Sequence, residues 1–235
     1  SFGIFSLAFG AVLFAFIGVP SIPLPNMVAA FLGGALITYA LIPYFKALSL
    51  EEASRVIPMW HFAPVFTLIL AVIFLGEILK PLSYAAFALI LTGGFLISVR
   101  RVGEVFHLSP AVAFMLLSSL LFAVSDVLLK FAYSTGIFWE TFLVMSIGSV
   151  LSQLSFFILP QVRKSLFRVL LSKNKQRRGF MLLVFLSALA GFFGGILWNS
   201  AILLGPVTLV SVFVSFQSMF VLLFATILSV RFPLF

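Results

Sequence analysis

Apolar stretches about as long as a membrane is thick follow one another along this chain. Runs near the roughly 20 residues that a helix needs to cross ~30 Å of hydrocarbon occur at Phe2–Ile22, Asn26–Leu48, Ala53–Leu75, Leu82–Val99, Pro110–Ala132, Thr141–Leu159, Phe180–Leu204 and Val207–Val230. They are continuous rather than alternating in twos, which favours helices over a β-barrel. Helix start and stop signals separate most of them: Pro20, Pro23 and Pro25, Glu51-Glu52, Lys80-Pro81, Ser109-Pro110 and Gly205-Pro206. The fold expected is an all-α polytopic membrane protein with eight transmembrane helices in this sequence. Only 9% of the residues are charged and 63% are hydrophobic. A soluble domain carries about 25% charged residues, so this chain cannot cover a water-facing surface.

The net charge of +8 does not point to nucleic acid. The basic residues sit at membrane edges rather than on a water-exposed element. Two loops hold most of them. One runs from Arg100-Arg101 to His107, and the other, Gln161–Gly179, holds Arg163, Lys164, Arg168, Lys173, Lys175, Arg177 and Arg178. Two spans separate these loops, so they share one side, which the positive-inside rule makes cytoplasmic. The sequence has no cysteine, which excludes disulfides, thiolate metal sites and cysteine nucleophiles. Ser1 leads straight into apolar residues with no basic region before them, unlike a signal peptide. Both ends read as cuts inside helices.

The chain repeats itself at an offset of 154 residues. Ile42 meets Ile196, Ala47 meets Ala201, Leu50 meets Leu204, Val56 meets Val210, Phe62 meets Phe216, Phe66 meets Phe220 and Ile73 meets Ile227. Tyr44 meets Trp198, and the tight joint Leu50-Glu51-Glu52 meets Leu204-Gly205-Pro206. Four spans precede the loop at Arg100–His107 and four follow it. If each half once had five, the first half lacks its first helix and the second its last. An odd number of spans per half makes the halves inverted in the membrane. The expected domains are a first repeat at 1–102, a linker at 103–109 and a second repeat at 110–235.

The stretch from Tyr39 to Glu77, "YALIPYFKALSLEEASRVIPMWHFAPVFTLILAVIFLGE", carries a recognisable pattern. A small-residue helix and a short turn lead into a helix with a Pro-Val pair, Pro64-Val65, that ends in Leu75-Gly76-Glu77. A Gly-rich helix, Ala88–Ser98, comes next. This resembles the EamA-type family of the drug/metabolite transporter superfamily. The resemblance implies two inverted repeats of five transmembrane helices and transport of a small organic solute. It also implies cytoplasmic termini and a linker outside, whereas the basic residues place that linker inside; the charge distribution is followed. In the second half Ser218 stands where Pro64 does, and the chain ends before a second Leu-Gly-Glu.

Ionisable groups inside a span cost about 2.5–3.5 kcal/mol on insertion scales, so they normally face a cavity or a partner. Asp126 lies well inside its span with Lys130 one turn on. The two read either as a structural pair or as a substrate or proton site. His61, between Trp60 and Phe62, titrates near neutral pH when unperturbed. It can pack as a neutral ring, take a proton or bind an anion. Pro58 and Pro64 each remove a backbone donor nearby, and the kinks would leave carbonyls open toward a cavity. Glu77 lies at a helix end, where a carboxylate opposes that helix's own dipole. It therefore reads as a boundary residue, a gate or an ion-pair partner. Trp198, Asn199 and Gln217 are candidates for a solute pathway or for contacts between helices, and Tyr44 is a weaker one. Ser187, Gly191, Gly195 and Asn199 fall on one helix face, as do Ala29-Gly33 and Ala30-Gly34; both stripes suit close helix packing.

No metalloprotease, P-loop or nucleophile-elbow signature occurs. No catalytic residue, metal site or cofactor is expected. The function expected is secondary transport by alternating access, with His61, Asp126, Trp198, Asn199, Tyr44 and Gln217 along the pathway and Pro64, Gly76 and Glu77 as motif and helix-end residues. The expected partners are a small-molecule solute, the lipid bilayer and a coupling proton or exchanged solute. The expected location is a prokaryotic-type plasma (inner) membrane. The alternatives are an integral-membrane enzyme acting on lipid-linked substrates and a non-transporting membrane scaffold.

Overall fold

The computed structural model describes residues 10, 14–16, 18–52, 56–98, 110–158 and 177–231. Among them are eight α-helices: α1 Leu24–Leu50, α2 Ala63–Leu70, α3 Pro81–Ser98, α4 Pro110–Ala132, α5 Phe138–Ser155, α6 Arg177–Leu204, α7 Val207–Val212 and α8 Phe216–Arg231. Spans Leu24–Leu50, Pro110–Thr135 and Leu182–Leu204 are each long and apolar enough to cross a membrane. The chain is an integral, multi-pass membrane protein.

Helix boundaries follow the expected punctuation closely. One departure is the first span, expected to reach Ile22; another is the seventh, which starts at Arg177 rather than Phe180. Gly18 has a positive φ of 75° and donates its N–H to Phe14 O at 2.9 Å, which ends a helix there. Pro20 and Pro23 then keep the backbone irregular until α1 begins. Most of the first span, and both basic loops apart from 177–179, lie outside the described residues.

The chain divides into two compact units: Ser1–Tyr39 with Leu128–Leu204, and Ala40–Val127 with Gly205–Phe235. Each unit therefore takes residues from both sides of the expected 103–109 linker.

In the first unit α1 and α5 cross at van der Waals distance of their backbones. A Cβ placed on Gly34 would lie 2.0 Å from Met145 O, and one on Gly148 would lie 2.1 Å from Phe31 O. Only glycine permits this approach, as in small-residue crossings of membrane helices. Hydrogen bonds flank the contact. Thr38 and Ser149 hydroxyls are 3.1 Å apart, and the Tyr39 and Ser155 hydroxyls are also 3.1 Å apart. Polar side chains then close helix ends. Asn26 Nδ2 donates to Phe131 O at 2.9 Å, just where α4 runs out of intrahelical donors. The Glu140 carboxylate accepts from the N–H and hydroxyl of Ser21, ahead of α1.

In the second unit Ala47, Val56, Ala111 and Met115 form a buried cluster, with Tyr44, Leu48, Met59, Trp60 and Phe114 packed on it. The hydroxyl of Ser118 on α4 donates to Ala40 O at 2.8 Å, which satisfies a polar group that the bilayer could not.

Candidate functional site

Two broken rods dominate the second unit, and each carries a 3-10 turn, the second 154 residues after part of the first. The first begins with a 3-10 turn, Ile57–Phe62, continues as α2 and ends in a π-turn, Ala71–Leu75. Pro58 and Pro64 sit in the first two positions of the 3-10 turn and of α2. There a missing N–H costs no helix hydrogen bond. The second rod is α7, a 3-10 turn at Phe213–Ser215, and α8. It contains no proline, so the break does not depend on proline alone.

His61 and Ser215 meet at these breaks. Nδ1 of His61 and Oγ of Ser215 are 3.2 Å apart, and the two residues are 6% and 2% exposed. The ring tautomer decides which of them donates. A second contact, sixteen residues along the first rod, joins Glu77 to the start of α7. The Glu77 carboxylate accepts from Val207 N at 2.8 Å, Thr208 N at 3.3 Å and Thr208 Oγ1 at 2.9 Å. Moving from His61 to Glu77 on one rod means moving from Ser215 back to Val207 on the other. The rods therefore run antiparallel.

The Leu-Gly-Glu motif has a physical account in this geometry. Gly76 takes a left-handed φ of 64° and returns its N–H to Ala71 O. An L side chain there would be strained. The turn places Glu77 at the N-terminus of α7, where two backbone N–H groups and the positive end of a helix dipole favour a carboxylate. Glu77 does oppose its own helix, as the sequence implies. What it caps is a helix 130 residues further along the chain.

A cavity of about 190 Å³ lies against the break, lined by His61, Phe62, Val65, Leu91 and Thr92. The Thr92 hydroxyl donates to Ala88 O at 2.6 Å, so the imidazole is the main polar feature of an otherwise apolar wall. Such a recess suits a small, largely apolar group. Tyr44 packs edge-on against Trp60 with ring centroids 5.0 Å apart. Trp60 in turn lies 4.7 Å from the ring of Phe122. Asp126 is buried, Pro64 is buried and Gln217 is exposed.

Trp198 and Asn199 belong to the first unit. Trp198 is half-buried on α6. Asn199 is 3% exposed; its Oδ1 accepts from Tyr133 Oη at 3.0 Å and its Nδ2 donates to Gly195 O at 2.8 Å. Both ends of this amide serve helix packing. Lys130 Nζ donates to Ile202 O at 2.8 Å and to Leu203 O at 3.4 Å. It thus caps the C-terminus of α6, where carbonyls are left over and the dipole is negative. Sequence reasoning did not find Tyr133, Thr208 or Asn26. Each acts through a partner at least sixty residues away, a separation at which no local pattern is informative. Among the described residues no group of three His, Cys, Asp or Glu side chains could hold a metal ion.

No curated protein matches the chain. Residues 1–99, which include α1, α2, α3 and the Leu75-Gly76-Glu77 motif, match the model of the EamA-like transporter family, and that family belongs to the drug/metabolite transporter superfamily.

Proposed function

We propose that this protein moves a small organic solute across a membrane by alternating access between two inverted repeats, in a prokaryotic-type plasma membrane. The observation that carries the proposal is the antiparallel pairing of the two broken rods at His61 and Ser215. Discontinuous helices meeting at a repeat interface are where secondary transporters place their solutes. Transport by the matched family agrees with this.

His61 and Asp126 are the residues proposed to meet the solute or a coupling proton. Both are buried ionisable groups inside spans, and such groups are costly enough to need a task. Trp198, Tyr44 and Gln217 are proposed as wall residues of the pathway. Asn199, whose amide is engaged by Tyr133 and Gly195, is proposed as a pathway residue as well.

The test is solute flux into vesicles containing the protein, with candidates chosen by metabolite profiling. His61→Ala and Asp126→Asn proteins that insert normally are expected to lose flux. Unchanged flux in both would overturn the assignment of these residues.

A further inference from the structure

His61–Ser215 and Glu77–Val207 differ in one respect that bears on a moving protein. The first contact joins equivalent residues of the two halves, 154 apart. The second joins residues that are not equivalent. In an inverted-repeat transporter the two access states arise when the halves exchange conformations. Each contact is then replaced by its counterpart under the repeat. A contact between equivalent residues maps onto itself and survives the exchange. Glu77–Val207 maps onto Arg231–Ala53. An arginine has no acceptor, and its charge opposes the positive end of a helix. The counterpart of the Glu77 cap therefore cannot be the same cap, and the sequence supplies this one in a single state only.

We propose that the Glu77 cap on Val207 and Thr208 is the latch of one access state, released in the other, and that the His61–Ser215 contact is the pivot kept in both. The proposal rests on the alternating-access reading above. Three features support it. Among the described residues the carboxylate makes three hydrogen bonds, all to one short helix start. That helix, α7, is six residues long and ends in the 3-10 break that holds Ser215. Gly76, with its left-handed backbone, lies immediately before Glu77 and forms a joint about which the latch can turn.

The chain has no cysteine, so single reporters can be introduced cleanly. Ser211 and Ser215 are each 2% exposed. Ser211→Cys reports on α7 beside the latch, and Ser215→Cys reports on the pivot. The full chain, in detergent, is treated with a hydrophilic maleimide, and labelling rates are compared with Glu77 intact, with Glu77→Gln and with Glu77→Ala. Release of the latch is expected to raise the Ser211→Cys rate about five- to tenfold in Glu77→Ala. A smaller rise is expected in Glu77→Gln, which keeps one acceptor oxygen, and none is expected at Ser215→Cys. An unchanged Ser211→Cys rate would overturn the proposal. So would an equal rise at both reporters, because that is general loosening. Flux in vesicles is read separately. Absent flux with the labelling contrast intact would remove the transport reading and leave the two-state latch; normal flux without the contrast would remove the latch alone.

Discussion

His61 and Ser215 lie 154 residues apart, the offset at which the sequence resembles itself, and they touch, with Nδ1 3.2 Å from Oγ. Both residues are almost wholly buried, so neither can turn to water if the other is lost. Hydrogen bonds between membrane helices contribute about 0.6 kcal/mol on average and about 1.7 at most. A double-mutant cycle with His61→Ala and Ser215→Ala, read by thermal unfolding in detergent, is expected to give a coupling in that range. A coupling of zero would mean that the pair does not form in the folded protein.

The glycines divide sharply by what surrounds them. At Gly34 and Gly148 an added Cβ would strike a backbone carbonyl at 2.0 and 2.1 Å. A carbonyl inside a helix cannot swing aside as a side-chain tip can. Gly34→Ala and Gly148→Ala are each expected to lower stability by about 1–3 kcal/mol, the usual cost of overpacking. At Gly93 and Gly194 nothing lies within 4 Å of that position. There alanine is expected to be neutral or to raise stability by up to about 0.5–1 kcal/mol through its better helix propensity. Melting temperatures of the four single variants decide this, and equal effects at all four sites would contradict the crossing.

Spans were legible in the sequence because a membrane helix must satisfy its own backbone, which gives long uninterrupted apolar runs. Pro110–Ala132 came out with both ends as expected, since Pro110 starts it and polar residues follow it. The 154-residue offset seen in the sequence also separates His61 from Ser215, which are in contact. The roles of Glu77 and Lys130 were not legible. Each is best understood from its partner helix, and nothing near Glu77 in the sequence points to Val207. Asp126 invited pairing with Lys130, one turn away. What the sequence does not show is that the Lys130 ammonium also donates to the last carbonyls of α6, which are left without intrahelical donors. The breaks in the two rods were half legible. Pro58 and Pro64 announce the first, while Phe213–Ser215 has no proline to announce the second.

Gly76 makes the turn after the first rod with a φ of 64° and has open space where a Cβ would go. The obstacle to substitution is therefore backbone conformation alone. Gly76→Ala is expected to cost about 1–2 kcal/mol, the penalty for a left-handed L-residue. Gly76→Asn is expected to cost less, since asparagine tolerates that region. Thermal unfolding of the two variants side by side tests the order. Asparagine proving worse than alanine would show that space, not backbone angle, is limiting.

Lys130 is half-buried, and its ammonium donates to two carbonyls at the end of α6. Removing it leaves those carbonyls without their donor and takes a cation from the negative end of the helix dipole. Lys130→Met keeps the length and apolar stem of the side chain, so packing changes little, and the last turn of α6 is where the loss of the cap is read. The expected cost is about 1–2 kcal/mol. Lys130→Arg keeps the charge and donors but spreads them over a planar group, so a partial loss is expected. Hydrogen exchange of the amides in the last turn of α6 gives the local readout. It is expected to speed up in Lys130→Met more than in Lys130→Arg. A last turn equally protected in both variants would show that the cap contributes nothing to the helix end.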